Sequence, residues 1–266
     1  MRIENSVMRR AMAEDPERWL YPLNELEDPL LATGIACCCS DPLDPVRDAA
    51  LIFDYSEGTV VRLFSDRDEL FEEAAAHPAV GKGTRFCFCG GLPLRLRESR
   101  EAEAGGHLLR RDDGRRTLER YGLFGFQSEP RRASPPPGRT VEETDLAFLC
   151  SPELDGLLPE GTDPGELGRG DRIWRAAGRW SGLFAGYLWA AQIGRGCLEI
   201  VNLPVRPGAR GMGVGKALVS RFAEDSLRTG FRPYYGYAVS SASAALARSM
   251  GFRPIHGETV SFYAEN

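Results

Sequence analysis

A glycine-rich turn is the segment of this sequence whose residue types most clearly suggest chemistry. Residues 210–216 read Arg-Gly-Met-Gly-Val-Gly-Lys, and apolar residues at helical spacing follow from Leu218 to Leu227. Glycines let backbone N–H groups face a ligand without obstruction from a Cβ atom, and a helix N-terminus adds partial positive charge. The segment therefore predicts a site for phosphate oxygens.

Three phosphate-binding patterns share this logic, and their spacing distinguishes them. The P-loop pattern G-x-x-x-x-G-K-[ST] fails because Arg210 and Ala217 occupy two of its required positions. The dinucleotide pattern G-x-G-x-x-G fails because Lys216 stands where it needs its third glycine. The pattern R-x-x-G-x-G is met by Arg210, Gly213 and Gly215. Taken alone, this short pattern leaves open a flexible loop that binds nothing.

Local patterns place the turn between a strand and a helix. Residues 197–205 are rich in β-branched side chains and predict a strand. Strict alternation along that strand would put Glu199 and Leu203 on the same face. The apolar stripe after the turn predicts a helix, and Gly230 is placed to end it.

The order of these elements resembles the GCN5-related N-acetyltransferases, the GNAT superfamily. The resemblance is most specific over residues 197–252, which contain the R-x-x-G-x-G turn and close on Gly251-Phe252. The other segments that carry it are the opening strand and helix at 140–149, the central hairpin at 172–177 and 182–192, the strand at 234–239 and the helix at 240–250.

The resemblance implies a mixed α/β GNAT domain that uses acetyl-CoA as co-substrate and acetylates an amine by direct transfer. The turn would hold the pyrophosphate of acetyl-CoA, and the N–H of Leu203 would stabilise the oxyanion. The cofactor-binding residues implied are Leu203, Val205, Arg210, Gly211, Met212, Gly213, Val214, Gly215, Lys216, Ser240 and Ser243.

The resemblance also assigns a catalytic role to Glu199, eleven positions before Arg210. A glutamate so placed is the general base in the histone-acetyltransferase branch. An ammonium ion is not nucleophilic, so a base must take its proton before it attacks the thioester. A carboxylate within an apolar strand would have a raised pKa that suits this role. The alternative is a strand glutamate that faces solvent.

The sequence departs from the family at two positions. Ser240 stands where the family often has asparagine, and Ala247 stands at the position of its general-acid tyrosine. Alanine cannot protonate a thiolate, so water would have to assist, or another tyrosine would replace it. The candidates are Tyr234, Tyr235, Tyr237 and Tyr263. The missing tyrosine keeps open a second function, a non-catalytic acyl-CoA-binding or regulatory module.

A proline-rich segment at 129–138 predicts a linker between two domains. The domain after it, 139–266, is the GNAT domain of the resemblance. Residues 1–128 predict an accessory α/β domain, either a degenerate GNAT-like half or a family-specific extension. Within it we expect strands at 49–54, 59–64 and 85–89, and a helix capped by Asp66.

Composition limits the partners. The net charge of −5 argues against a nucleic-acid binder, and no apolar run is long enough to span a membrane. Seven cysteines, three of them consecutive at Cys37–Cys39, fit neither a disulfide framework nor a zinc site, so we predict no metal. The N-terminus lacks the pattern of a signal peptide, which predicts a cytoplasmic protein. The expected partners are acetyl-CoA and an amine, carried by a small molecule or a protein.

Overall fold

The computed structural model describes residues 1–27, 34–56, 58–89, 91–97, 99–112, 118–123, 130–154, 156–158, 170–193, 196–238 and 240–265. The chain divides into two compact units. Unit 1 contains residues 1–119 and 255–266, and unit 2 contains residues 120–254.

The regular elements alternate between strands and helices along the whole chain, as expected for a mixed α/β protein. In chain order they are β1 (Arg2–Ile3), α1 (Asn5–Met12), α2 (Leu20–Glu27), β2 (Gly34–Cys39), β3 (Ala49–Tyr55), β4 (Gly58–Leu63), α3 (Asp68–Ala75), β5 (Arg85–Phe88), α4 (Leu94–Arg97), β6 (Glu101–Ala104), β7 (His107–Arg111), β8 (Leu118–Gly122), β9 (Arg139–Thr144), β10 (Arg172–Gly178), β11 (Phe184–Gln192), β12 (Cys197–Asn202), α5 (Val214–Arg228), β13 (Arg232–Ala238), α6 (Ser241–Ser249) and β14 (Arg253–Ala264). Short 3₁₀ helices lie at Leu146–Cys150, Pro152–Leu154 and Pro207–Ala209.

Unit 1 has a mixed sheet in the order β1-β2-β3-β4-β5-β14, and β7 pairs with β14 and β6. Among the neighbouring strands of this sheet whose register is described, β4 and β5 form the only parallel pair. Helix α3 connects these two strands and buries Phe71 against Phe86 and Phe88. The prediction that Asp66 caps this helix is wrong. The helix begins at Asp68, with Arg67 at the N-cap position, and the Asp66 carboxylate accepts a hydrogen bond from Arg97.

Unit 2 has a mixed sheet in the order β8-β13-β12-β11-β10-β9. Strands β9 to β12 pair antiparallel, and β12 pairs with β13 in parallel through the connecting helix α5. Helices α5 and α6 cover one face of the sheet, where Trp174, Ile200 and Phe222 form the centre of the larger core. Leu149 and Leu154 of the 3₁₀ helices pack on Tyr187, away from that core.

Unit 1 repeats the topology of unit 2. In β1-β2-β3-β4-α3-β5 the first three pairings are antiparallel and the last is parallel across a helix, as in β9-β10-β11-β12-α5-β13. The connection between β4 and α3 is short and reads Phe-Ser-Asp-Arg at 64–67, with none of the glycines found at 211–215. This repeat favours the prediction of a degenerate GNAT-like half over that of a family-specific extension.

The compact units differ from the domain boundaries expected at 128 and 139. The division falls inside β8, and β14 returns to unit 1 because Val260–Tyr263 pairs with β5. Of the expected linker, Glu129 lies outside the described residues. The rest packs on unit 2, where the Arg131 N–H donates to the Met250 carbonyl and the Ala133 N–H donates to Ser220 Oγ.

Most of the described cysteines are buried, but Cys150 is exposed and Cys89 is half-buried. Within the described ranges, no group of three His, Cys, Asp or Glu side chains is arranged to hold a metal ion. None of the described helices is long and apolar enough to cross a membrane.

Candidate active site

The segment after β12 runs close alongside the beginning of β11. The Tyr187 N–H donates to the Pro204 carbonyl at 3.2 Å, and the Arg206 N–H donates to the Ala185 carbonyl at 2.9 Å. A Cβ atom at Gly186 would lie 2.7 Å from the Pro204 oxygen and 3.1 Å from Val205 Cα. Only glycine permits this approach, which fixes the backbone of 203–206 at the edge of the site.

The glycine-rich turn directly precedes the N-terminus of α5. Gly213 precedes the helix with φ of +87°, a left-handed conformation that costs other residues about 1–2 kcal/mol. The Arg210 Nε donates to the Val205 carbonyl at 3.0 Å and closes the turn. The first turn of α5 contains no acidic residue, so its N–H groups and the helix dipole remain available to an anion.

A second wall comes from β13 and the beginning of α6. Ser240 caps α6, with its hydroxyl accepting the Ser243 N–H at 3.2 Å. The hydroxyl oxygens of Tyr235 and Ser243 lie 3.0 Å apart. Leu246 follows one helical turn later and comes within reach of Gly215, where a Cβ atom would lie 3.3 Å from its Cδ2.

These walls enclose a cavity of about 650 Å³, a size typical of small-molecule sites. The residues that line it are Leu203, Pro204, Val205, Ala209, Arg210, Gly211, Gly213, Val214, Gly215, Lys216, Tyr235, Ser240, Ala242, Ser243 and Leu246. Every residue predicted to bind the cofactor is therefore brought to one cavity, except Met212. That side chain is 57% exposed and is absent from the cavity wall.

Sequence reasoning did not place Pro204, Ala209, Tyr235, Ala242 and Leu246 at the cavity wall. For Leu246 a signal was present, because it lies at i+3 from Ser243 on the same short helix. Tyr235 could not be placed without the twist and pairing of β13.

The lining of the cavity combines positive charge with apolar surface. Arg210, Lys216 and the α5 N-terminus supply the positive charge. Leu203, Val205 and Leu246 supply the apolar surface. This combination fits a ligand that joins phosphate groups to a long, weakly polar arm.

Glu199 is not among the described residues that line the cavity. It also lies on the opposite face of the sheet from Leu203. Ala190 pairs with Ile200 and Trp189 with Asn202, so Val201 is an extra residue that forms a bulge. The bulge puts Asn202 on the face of Glu199 and turns Leu203 towards the core beneath the helices. The expectation that Glu199 and Leu203 share a face is therefore wrong.

Glu199 is buried in an ion pair. Its side chain is 1% exposed, and Arg120 of β8, itself fully buried, donates from Nε to Oε1 at 3.0 Å. The guanidinium also lies 4.8 Å from the centre of the Tyr234 ring, and Tyr234 pairs with Glu199 across β12 and β13. Burial raises the pKa of Glu199 well above its ordinary value, the direction expected from the sequence. The adjacent Arg120 cation opposes that rise. A solvent-facing glutamate is excluded.

Comparison with known proteins gives one family. The profile of the acetyltransferase (GNAT) family matches residues 153–252. No protein of curated function matches the sequence significantly.

Solved structures match the chain over nearly its whole length. A Drosophila protein has a TM-score of 0.61 at 12% identity, covering 100% of this chain and 98% of its own. A GCN5-related N-acetyltransferase from Sphaerobacter thermophilus has a TM-score of 0.58 at 15% identity, covering 100% and 95%. A tandem GNAT protein of the clavulanic acid biosynthesis pathway has a TM-score of 0.56 at 14% identity, covering 98% and 95%. At these identities the likeness concerns the fold.

Proposed function

We propose that this chain transfers an acetyl group from acetyl-CoA directly to a primary amine, on the basis of the match between residues 153–252 and the acetyltransferase (GNAT) family model. The observation that carries the proposal is the cavity between the glycine-rich turn and α6. It combines a helix N-terminus without acidic residues, two cationic side chains and an apolar wall. A pyrophosphate and a pantetheine arm need these features in that combination.

We further propose that amine and acetyl-CoA are bound together. Direct transfer needs no acyl-enzyme, and the described residues that line the cavity include neither a cysteine nor a histidine. The amine nitrogen attacks the thioester carbonyl, and the Leu203 N–H is our candidate donor to the resulting oxyanion.

Glu199 is our candidate for the proton acceptor. Because its carboxylate is buried and bound to Arg120, it would receive the proton through a water chain or by close approach of the amine. Its raised pKa supports this role, since a proton acceptor works best when its pKa lies near the working pH.

Two measurements test the proposal. Millimolar acetyl-CoA should raise the melting temperature, since selective binding to the folded state adds ~2.7 kcal/mol at a hundredfold excess over Kd. Thiol release from acetyl-CoA should depend on an added amine from a panel of small amines and lysine peptides. No thermal shift would contradict the cofactor site, and no amine-dependent release would contradict the transferase activity.

The buried ion pair also favours a second function, a module that binds acyl-CoA without catalysis. A carboxylate held by Arg120 away from the cavity wall is a poor proton acceptor, and Ala247, at the family's general-acid position, is fully buried. The same two measurements separate the functions. A binding module gives the thermal shift without amine-dependent thiol release.

A further inference from the structure

Transfer of the acetyl group leaves a thiolate, which needs a proton to depart as a neutral thiol. The α6 residue at the family's general-acid position, Ala247, offers only a buried methyl group. We propose that Tyr235 of β13 is the general acid that protonates the departing CoA sulfur. This inference rests on the proposed transferase function.

Of the candidate tyrosines whose side chains the structure describes, Tyr234, Tyr235 and Tyr263, Tyr235 is the one at the cavity wall. Tyr234 points to the opposite face of β13, where its ring contacts the Arg120 guanidinium. Tyr263 belongs to β14 of unit 1. The side chain of Tyr237 lies outside the described residues.

The Tyr235 side chain is held in one orientation. Its ring packs edge-on against Tyr121 and Phe252, with ring centres 6.5 Å and 5.9 Å apart. Its hydroxyl reaches the first turn of α6, where the Ser243 hydroxyl lies 3.0 Å away and can donate to it. Both residues line the cavity, so the phenol O–H can turn to a ligand atom there.

The environment of Tyr235 suits a donor at neutral pH. The side chain is 5% exposed, and burial raises its pKa, while the hydrogen bond with Ser243 opposes part of that rise. The phenol therefore carries its proton under working conditions. After donation, the Ser243 O–H can stabilise the phenolate.

The amine, already neutral, forms a bond to the carbonyl carbon, and the C–O electron pair moves to oxygen. When the carbonyl reforms, the C–S bond breaks and its electron pair goes to sulfur, which takes the proton from Tyr235 Oη. The phenolate recovers a proton from the new ammonium nitrogen, through water, as the amide forms. One proton per turnover, lost earlier from the substrate ammonium ion, is released to solvent.

Tyr235→Phe tests the assignment, with Tyr121→Phe as the matched control. Both variants remove one phenol hydroxyl from the same core, but Tyr121 does not line the cavity. We expect Tyr235→Phe to lower kcat by about 10² or more with Kd for acetyl-CoA unchanged. Tyr121→Phe should keep kcat, and melting temperatures of both variants verify folding.

A pH profile separates an acid from a structural tyrosine. The wild-type rate should fall as pH rises through the pKa of Tyr235, and this basic limb should be absent in Tyr235→Phe. Ser243→Ala removes the hydroxyl that lowers the pKa of Tyr235, so the limb should move to higher pH. An active wild type with equal kcat in Tyr235→Phe, or a basic limb that persists in that variant, overturns the inference alone. A wild type inactive with every amine overturns the proposed function and the inference with it.

Discussion

Arg120 and Glu199 form an ion pair whose side chains are 0% and 1% exposed, with 3.0 Å between Nε and Oε1. The two residues are 79 positions apart in the chain and meet across β13, which lies between their strands β8 and β12 in the unit 2 sheet. In such a dry environment the two charges depend strongly on each other, because removing one leaves the other buried without this ion pair. The pair fixes the carboxylate that we propose as proton acceptor.

Glu199→Gln should keep acetyl-CoA binding and lose turnover by ~10²–10⁴-fold. The amide oxygen can still accept from Arg120, so the position of the side chain is conserved while its basicity is lost. Calorimetric binding and steady-state rates with one fixed amine measure the two effects. Glu143→Gln is the control, since Glu143 is a half-exposed glutamate paired with Arg172 in the same sheet.

The pH profile gives an independent check. A base must be ionised, so the wild-type rate should fall as pH decreases through the pKa of Glu199. Burial raises that pKa, so the fall in rate on the acidic side should lie above pH ~4.3, the pKa of a free glutamate. Equal rates for Glu199→Gln and wild type between pH 6 and 9, about the working range, would remove Glu199 from the mechanism.

Arg120→Met should destabilise the protein by ~3–5 kcal/mol, because it leaves a buried carboxylate without its cation. In the folded fraction of Arg120→Met, the pKa of Glu199 should rise further. The fall in rate on the acidic side of the pH profile should therefore move to higher pH. Urea unfolding at pH 7 measures the stability.

The double variant Arg120→Met, Glu199→Met separates the charge from the packing. Because both charges are removed, it should be more stable than Arg120→Met alone. A double variant no more stable than the single one would mean that the loss comes from packing of the Arg120 side chain on Tyr234.

The local architecture of the candidate cofactor site could be predicted from the sequence. The strand, turn and helix around Gly213 follow from periodicity and glycine spacing, and α5 ends as predicted. Gly230 has φ of +82°, and its N–H donates to the Leu227 carbonyl while the Phe231 N–H donates to that of Ser226. Apolar periodicity, glycine spacing and helix termination depend on residues close together in the chain, so they can be recognised in a single sequence.

Features that depend on strand pairing could not be predicted in this way. The bulge at Val201 arises from the register between β11 and β12, and it reverses the face of Leu203. The Arg120 partner of Glu199 comes from a strand outside the predicted domain, in a segment that carries no motif. The 140–149 segment was expected to contain a helix, but its residues 146–150 form only a 3₁₀ helix. The predicted end of β13 at Val239 lies outside the described residues.

Gly213→Val should weaken acetyl-CoA binding at least tenfold, ~1.4 kcal/mol, because a side chain at this positive φ strains the turn that lines the cavity. Gly230→Val is a matched control, since Gly230 also has positive φ but lies at the other end of α5. Both variants should lose ~1–2 kcal/mol of stability, and only Gly213→Val should lose affinity. Isothermal titration and thermal unfolding distinguish the two effects. Unchanged affinity in Gly213→Val would contradict the cofactor assignment.

Asp225→Asn should loosen the attachment of α5 to the sheet. The Asp225 carboxylate is buried and accepts hydrogen bonds from Trp174 Nε1 of β10 at 3.0 Å, Arg221 Nε at 2.8 Å and Arg228 Nη2 at 3.0 Å. Burial raises the pKa of Asp225, but these bonds outweigh it and lower the pKa below its ordinary value. We expect Asp225→Asn to cost ~1–3 kcal/mol at pH 7, measured by urea unfolding.

The pH dependence of stability follows from the same depressed pKa. The carboxylate of Asp225 contributes fully above its unfolded pKa of ~3.9, and the contribution is lost as pH falls through the lower folded value. Wild-type stability should therefore fall below about pH 4 more steeply than that of Asp225→Asn. Glu224→Gln, at the neighbouring half-exposed position, should stay within about 0.5 kcal/mol of wild type. Parallel curves for wild type and Asp225→Asn below pH 4 would show that the Asp225 hydrogen bonds do not stabilise its ionised form.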